Sequence, residues 1–183
     1  MKLVFMLEEA SMKYLLDELL PRILPEHVEF QTIKHNGKSD LRRSLPKKLR
    51  GWNDSDIRFV VVHDQDNKAD CTVLKKELVD LCSASNRHVL VRIACQELEA
   101  WYFGDIPALS KAYGKGRVLA FANKRKLRIA DKIVNPKKTL CNFIPEHQQI
   151  DGAKRIGRLM DIDNNTSTSF NAFVRGVRRF AST

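Results

Sequence analysis

Two aspartates one residue apart, Asp64 and Asp66, end the run "RFVVVHDQD" (58–66), where an apolar stretch passes straight into acid. Carboxylates that close repel each other, and a cation, a solvated loop or a shared proton is needed to relieve them. Other acids stand in the same kind of place. Glu8 and Glu9 follow the apolar "KLVFML" (2–7), and Glu97 and Glu99 follow "HVLVRIAC" (88–95). Oxygen donors of this type suit a hard divalent cation. Such an ion can polarise a phosphate oxygen, activate a water and stabilise a leaving oxygen. Whether the six acids converge depends on the elements that carry them.

Those elements are legible in the apolar periodicity. "KLVFML" is a continuous apolar run, the form of a strand buried on both faces. Ser11 can cap a helix with Tyr14, Leu15, Leu16, Leu19 and Leu20 on its inner face, ending near Pro21. "HVEFQTI" (27–33) alternates as a second strand. Leu41, Leu45 and Leu49 repeat at helical spacing over 40–50, with Pro46 making that helix irregular. "IRFVVVH" (57–63) is a third strand. A helix over 70–84 turns Val73, Leu74, Leu78, Val79, Leu81 and Cys82 inward. A fourth strand covers 88–95, and "QELEAWYFGD" starts the next helix. This β-α alternation over about 105 residues predicts a mostly parallel four-stranded sheet with helices on both faces. Ligands of such sheets bind beyond the carboxyl ends of the strands. All six acids then share one edge, and Glu8, Glu9, Asp64 and Asp66 meet if the first and third strands are neighbours.

The 183 residues are 43% apolar and 30% charged, which describes a soluble globular chain with no membrane span. The N-terminal apolar stretch is shorter than a signal peptide needs, so a cytoplasmic location is expected. Cys71, Cys82, Cys95 and Cys141 form no metal-binding spacing and read as reduced, mostly buried thiols. Charge is divided unevenly. Residues 1–105 hold 16 Lys and Arg against 17 Asp and Glu, whereas residues 106–183 hold 16 against 5. The basic half attracts polyanions, nucleic acid foremost, and a merely solubilising basic face is the alternative. Lys124, Arg125, Lys126 and Arg128 in "KRKLR", and Arg175, Arg178 and Arg179 in "RGVRR", are the candidate backbone contacts. After residue 105 the pattern loosens into short helices, including 155–160 and a last one over 168–180 with Phe170, Phe173, Val174 and Val177 inward. The expectation is one domain, in which a basic helical appendage (106–183) packs on an α/β core (1–105).

Several residues carry two readings. Asp64 and Asp66 could be an ordinary turn or cap pair. Glu97 and Glu99 could complete a second metal site, with Glu97 sharing a helical face with Trp101, or could serve as helix N-terminal charges. Lys38 in "GKSD" could meet phosphate beside helix N-terminal amides, or belong to a turn capped by Asp40. Arg92 could pair with a site carboxylate or point off an exposed edge. His63 could be a base or a hydrogen-bonded strand-end residue. Trp101, Tyr102 and Phe103 could stack on bases or fill the core. An EF-hand fails at Lys68 and Ala69, and a Walker motif fails at Thr32.

An acid after the first strand combined with Asp-x-Asp after the third resembles the Toprim fold of topoisomerases, primases and OLD-type nucleases. "LEEASM" (7–12) matches the first Toprim motif at Leu7, Glu8 and Ser11, with Glu9 for its Gly and Met12 for its Asp; "HDQD" (63–66) matches the second. The chain resembles the bacterial DUF4276 family in "MLEEASMKYLL", "HNGKSDL", "VVHDQDNKADC", "VRIACQELEAWYFGD" and the "NNTSTSFNAFVRGVRR" tail. "ELEAW" is similar to a segment of RloB-like, phage-defence-associated proteins. The resemblance implies a Toprim-like, Mg²⁺- or Mn²⁺-dependent phosphodiesterase acting on nucleic acid, a defence-type effector beside an ATPase. It implies Glu8, Asp64 and Asp66 as catalytic metal ligands, with Glu9, Glu97 and Glu99 as further ones. The departures at Glu9 and Met12 leave open a non-catalytic module that binds nucleic acid or a partner protein.

Overall fold

Valines at 60, 61 and 62 put apolar side chains on both sides of one pleated strand, so that strand must be covered twice. In the computed structural model, which describes residues 1–54, 56–66, 68–123 and 128–182 (side chains of Arg117 and 121–123 apart), it is covered twice. The strands are β1 (Lys2–Leu7), β2 (Glu29–Lys34), β3 (Ile57–Asp64) and β4 (Val89–Ala94). They form one parallel sheet in the order β2-β1-β3-β4. The expected α/β arrangement of a four-stranded parallel sheet flanked by helices is therefore present. β1 and β3 are adjacent, with Leu7 opposite Val62, which brings the residues after both strands to the same edge.

The helices are α1 (Ala10–Ile23), α2 (Lys38–Gly51), α3 (Cys71–Ser83), α4 (Glu99–Phe103), α5 (Ile106–Tyr113), α6 (Pro136–Phe143), α7 (Gln149–Leu159) and α8 (Thr168–Ser182). One sheet face, through Val4, Met6, Phe59 and Val61, packs on Leu41, Leu45 and Leu49 of α2 and Leu74 and Leu78 of α3. The other face, through Leu3, Phe5, Leu7, Val60 and Val62, packs on α1 and on helices from the basic half, with Phe170 and Phe173 of α8 in its core. α7 lies on α1, and α8 lies on β4. Among the described residues no helix is long and apolar enough to cross a membrane.

Local expectations differ from the structure where side chains found other partners. Ser11 is inside α1 rather than capping it: Glu9 holds the extended cap position, and the Ser11 hydroxyl donates to the Glu9 carboxylate. The inner stripe of α3 is Leu74, Leu78 and Cys82, spaced four apart; Val73 and Val79 are turned roughly a quarter of the helix away and are 56% and 44% exposed. The helix expected at 155–160 begins at Gln149. Cys82 is buried, but Cys141 is exposed. Trp101, Tyr102 and Phe103 are at most 2% exposed and cannot stack on a base. α4 is wedged under α8, where the Trp101 ring lies 5.4 Å from Phe170 and 5.2 Å from Phe173 and its Nε1 donates to Ser169 Oγ at 2.9 Å.

Candidate functional site

Parallel register carries Glu8 and Asp64 past the ends of neighbouring strands, and they touch there. The Asp64 backbone N–H donates to Glu8 Oε2 at 3.1 Å. His63 Nδ1 lies 2.5 Å from the Asp64 carbonyl and 3.1 Å from the same Glu8 oxygen. A carbonyl only accepts, so Nδ1 carries the ring proton. That leaves Nε2 as a buried acceptor without a partner. His63 is thus the strand-end residue that orients Glu8, and burial holds its pKa below the ordinary value.

Two loops are stitched together over this edge. Gln65 N donates to the Ala94 carbonyl at 2.9 Å, Asp66 N to the Gln96 carbonyl at 2.6 Å, and Gln96 N back to Gln65 Oε1 at 3.1 Å. Both Asp66 (φ 51°) and Gln96 (φ 63°) take left-handed backbone, which turns the chain sharply enough to make these contacts. The glutamines leave no sign in the sequence, because a loop amide has no spacing to read. The Asp66 carboxylate meets Lys38 Nζ at 3.0 Å, from the first turn of α2. Lys38 follows Gly37, whose φ of 87° suits glycine and lets its N–H reach the Glu8 carbonyl at 3.0 Å.

Burial and mutual repulsion leave these acids reluctant to ionise. Glu8 is pushed up to about 7, chiefly by burial, with Asp66 and Glu9 adding repulsion. Glu99, 2% exposed on α4, is pushed up to about 7 by burial, with Glu9 and Glu97 adding to it. Asp64 is held well above the usual carboxylate range by burial and then by Glu8, Glu99, Glu9 and Asp66. Its Oδ1 is buried with no hydrogen-bond partner. An orphaned carboxylate oxygen among other carboxylates is a donor set that fits a hard cation. Among the described residues, no three His, Cys, Asp or Glu side chains already converge so as to hold one ion. Lys38, Ser11 and the Asp64 N–H engage the oxygens that would have to turn.

Of the six acids, Glu8, Glu9, Asp64, Asp66 and Glu99 act on one another, and Glu97, which adds to the repulsion on Glu99 and lines a small pocket with Lys38 and Asp66, is already engaged elsewhere. It precedes α4, so it shares no helical face with Trp101, and it accepts from the Lys137 N–H at 3.0 Å. The basic residues are dispersed. Lys38 is at the acids, and Arg128 lines a cavity of about 600 Å³ with Lys111 and Asp161. Arg178 pairs with Asp163 at 2.8 Å, and Arg175 and Arg179 line a cleft beside β4. Lys124, Arg125 and Lys126 lie outside the described residues. Arg92 forms no ion pair among the described residues and instead donates to carbonyls of Val91 and Ala172.

No curated protein matches the chain. Among solved structures it is similar to the C-terminal region of the OLD protein of Xanthomonas campestris pv. campestris, with a TM-score of 0.51 and 10% identity over 99% of this chain and 96% of that one. At that identity the likeness speaks for the fold alone, the same parallel sheet with its flanking helices. Residues 7–178, from the end of β1 to the last turns of α8, match the family described as "Domain of unknown function (DUF4276)", and the chain belongs to that family.

Proposed function

We propose that the chain is a metal-dependent, nuclease-like phosphodiesterase acting on nucleic acid. The observation that carries this reading is the partnerless, buried Oδ1 of Asp64 beside Glu8, where β1 and β3 adjoin. Glu8, Asp64 and Asp66 would hold Mg²⁺ or Mn²⁺, with Glu9 and Glu99 next in line; Glu97 serves better as the anchor of the Lys137 backbone. A bound divalent ion supplies phosphate polarisation and an acidified water. The chain's own groups do the rest. His63 holds Glu8 in place through Nδ1, and Gln65 and Gln96 hold the two loops together. Lys38 neutralises Asp66 and is placed to turn to a substrate phosphate once that carboxylate has another cation. Nucleic acid as the substrate is supported by the surplus of 16 basic over 5 acidic residues in 106–183. A role beside an ATPase, as a defence-type effector, is supported by the resemblance to OLD-type and RloB-like proteins. Free cysteines support a cytoplasmic setting.

The test is incubation of single- and double-stranded DNA and RNA with Mg²⁺ or Mn²⁺, comparing wild type with Asp64→Ala. Metal-dependent cleavage by wild type that Asp64→Ala abolishes is the expected result; no cleavage of any substrate with either metal overturns the reading. A non-catalytic binding module is the second reading, favoured by the Lys38–Asp66 pair, in which an ammonium already supplies the cation. It predicts binding without cleavage.

A further inference from the structure

Three arginines gather on the outer flank of β4, off the carboxylate edge. Arg92 projects from this edge strand onto α8, where its Nε donates to the Ala172 carbonyl at 3.0 Å and its Nη1 to the Val91 carbonyl at 2.9 Å. Gly176 makes room for it, since a Cβ at that position would overlap the guanidinium. Arg175 and Arg179, one turn apart on α8, are exposed and line with Arg92 a cleft of about 560 Å³ that includes Leu90 and Phe180. Among the described residues no carboxylate lines this cleft, and none of the three arginines forms an ion pair. Arg179 lies near enough that its charge, after burial, helps hold the Arg92 pKa below the usual guanidinium value. Like charges collected against apolar surface, with no acid opposite, are completed by an anion.

The direction of the cleft matters. α8 begins at the carboxylate edge, where Cys95 N donates to Ser169 Oγ at 3.2 Å, and ends at the opposite edge, where Arg58 Nη1 donates to the Phe180 carbonyl at 2.7 Å. Arg92 is three residues before Cys95, on the order of 10 Å along a strand. That distance is about three phosphates at the 3.4 Å spacing of one duplex strand, and fewer in an extended one. A basic cleft with Leu90 and Phe180 in its walls, able to take base faces, suits an unpaired strand better than a duplex.

We propose that Arg92, Arg175 and Arg179 form a metal-independent site for the phosphate backbone of single-stranded nucleic acid, which continues from the carboxylate edge down the β4–α8 flank. Only the direction of the strand rests on the nuclease reading; the phosphate site does not. The test is fluorescence anisotropy of a labelled single-stranded DNA 12-mer with the full chain in EDTA, titrated with salt. Each lost phosphate contact flattens the log–log salt slope by about 0.7 and weakens binding roughly fivefold at 0.1 M salt. Arg175→Gln/Arg179→Gln should therefore lose about 25-fold in affinity, with a slope shallower by about 1.4. Lys75→Gln/Lys76→Gln removes the same charge from exposed positions on α3, over the other sheet face, and should bind within threefold of wild type. Wild-type affinity in the arginine variant, or an equal loss in both variants, overturns the proposal. Equal affinity for a duplex of the same sequence overturns its single-strand part. If wild type cleaves and the arginine variant binds normally, the cleft fails while the nuclease reading stands. If wild type never cleaves but the arginine variant loses binding, the cleft stands and the nuclease reading fails.

Discussion

Glu8→Gln should stabilise the metal-free protein at pH 8 and do much less at pH 5. In the folded chain, burial first and then Asp66 and Glu9 push the Glu8 carboxyl up to about 7 from an ordinary 4.5. A carboxyl with a raised folded-state pKa contributes stability that is fully present below its unfolded pKa and is lost as pH rises through the folded one. For Glu8 that window runs from about 4.5 to about 7. Ionising it in place costs on the order of 3 kcal/mol at pH 8 and about 1 kcal/mol at pH 5. Glutamine has no charge to bury, and its amide oxygen can accept the Asp64 N–H that Glu8 Oε2 accepts at 3.1 Å. At about 2–4 °C per kcal/mol for a chain of this size, the variant should melt roughly 6–12 °C higher at pH 8 and 2–4 °C higher at pH 5. His35 and His147, held low by burial, work in the opposite sense, losing stability as pH falls below about 6.5. They are common to both proteins, so the difference between the two melting curves removes them. Thermal unfolding followed by circular dichroism in EDTA at pH 5, 6, 7 and 8 measures that difference. A variant that melts below wild type at pH 8, or a gap that stays constant across the range, refutes the reasoning.

Excess Mn²⁺ should raise the wild-type melting temperature, by the equivalent of roughly 2.7 kcal/mol at a hundredfold excess over Kd. Asp64→Asn should lose most of that response yet melt at least as high as wild type in EDTA; a wild type indifferent to metal would leave the carboxylates without their proposed ion. Trp101→Ala should cost about 3–5 kcal/mol in urea unfolding, because it empties a space between α4 and α8 rather than a stacking surface. Asp131→Ala should cost about 2–3 kcal/mol, read the same way, because it removes the carboxylate that accepts from the Ser167 hydroxyl and from the N–H and hydroxyl of Ser169 at the start of α8.

Whatever depends on neighbours a few residues away was legible in the order of the residues. The apolar runs 3–7 and 59–62, within an alternating β-α pattern, read as strands covered on both faces. Leu41, Leu45 and Leu49 could only line one side of a helix, because pleat and helical pitch set those spacings locally. From the β-α alternation it followed that Glu8, Glu9, Asp64, Asp66, Glu97 and Glu99 all lie beyond strand ends. The tertiary structure decided which of them matter to one another. Lys38 reaches Asp66 across 28 residues of chain because β2, which leads into α2, lies beside β1, and β1 lies beside β3, so all three strands open onto one edge. Glu97 turned to Lys137, and Trp101 went under Phe170 and Phe173, because helices from the far end of the chain return to cover α4. Arg92 met Arg179 rather than a carboxylate because α8 packs along the outer strand, with a glycine where the guanidinium crosses. Burial is the quantity no local spacing contains. Together with the repulsion among neighbouring carboxylates, it separates acids that ionise freely in water from Glu8, Asp64 and Glu99, which at neutral pH await a counter-charge.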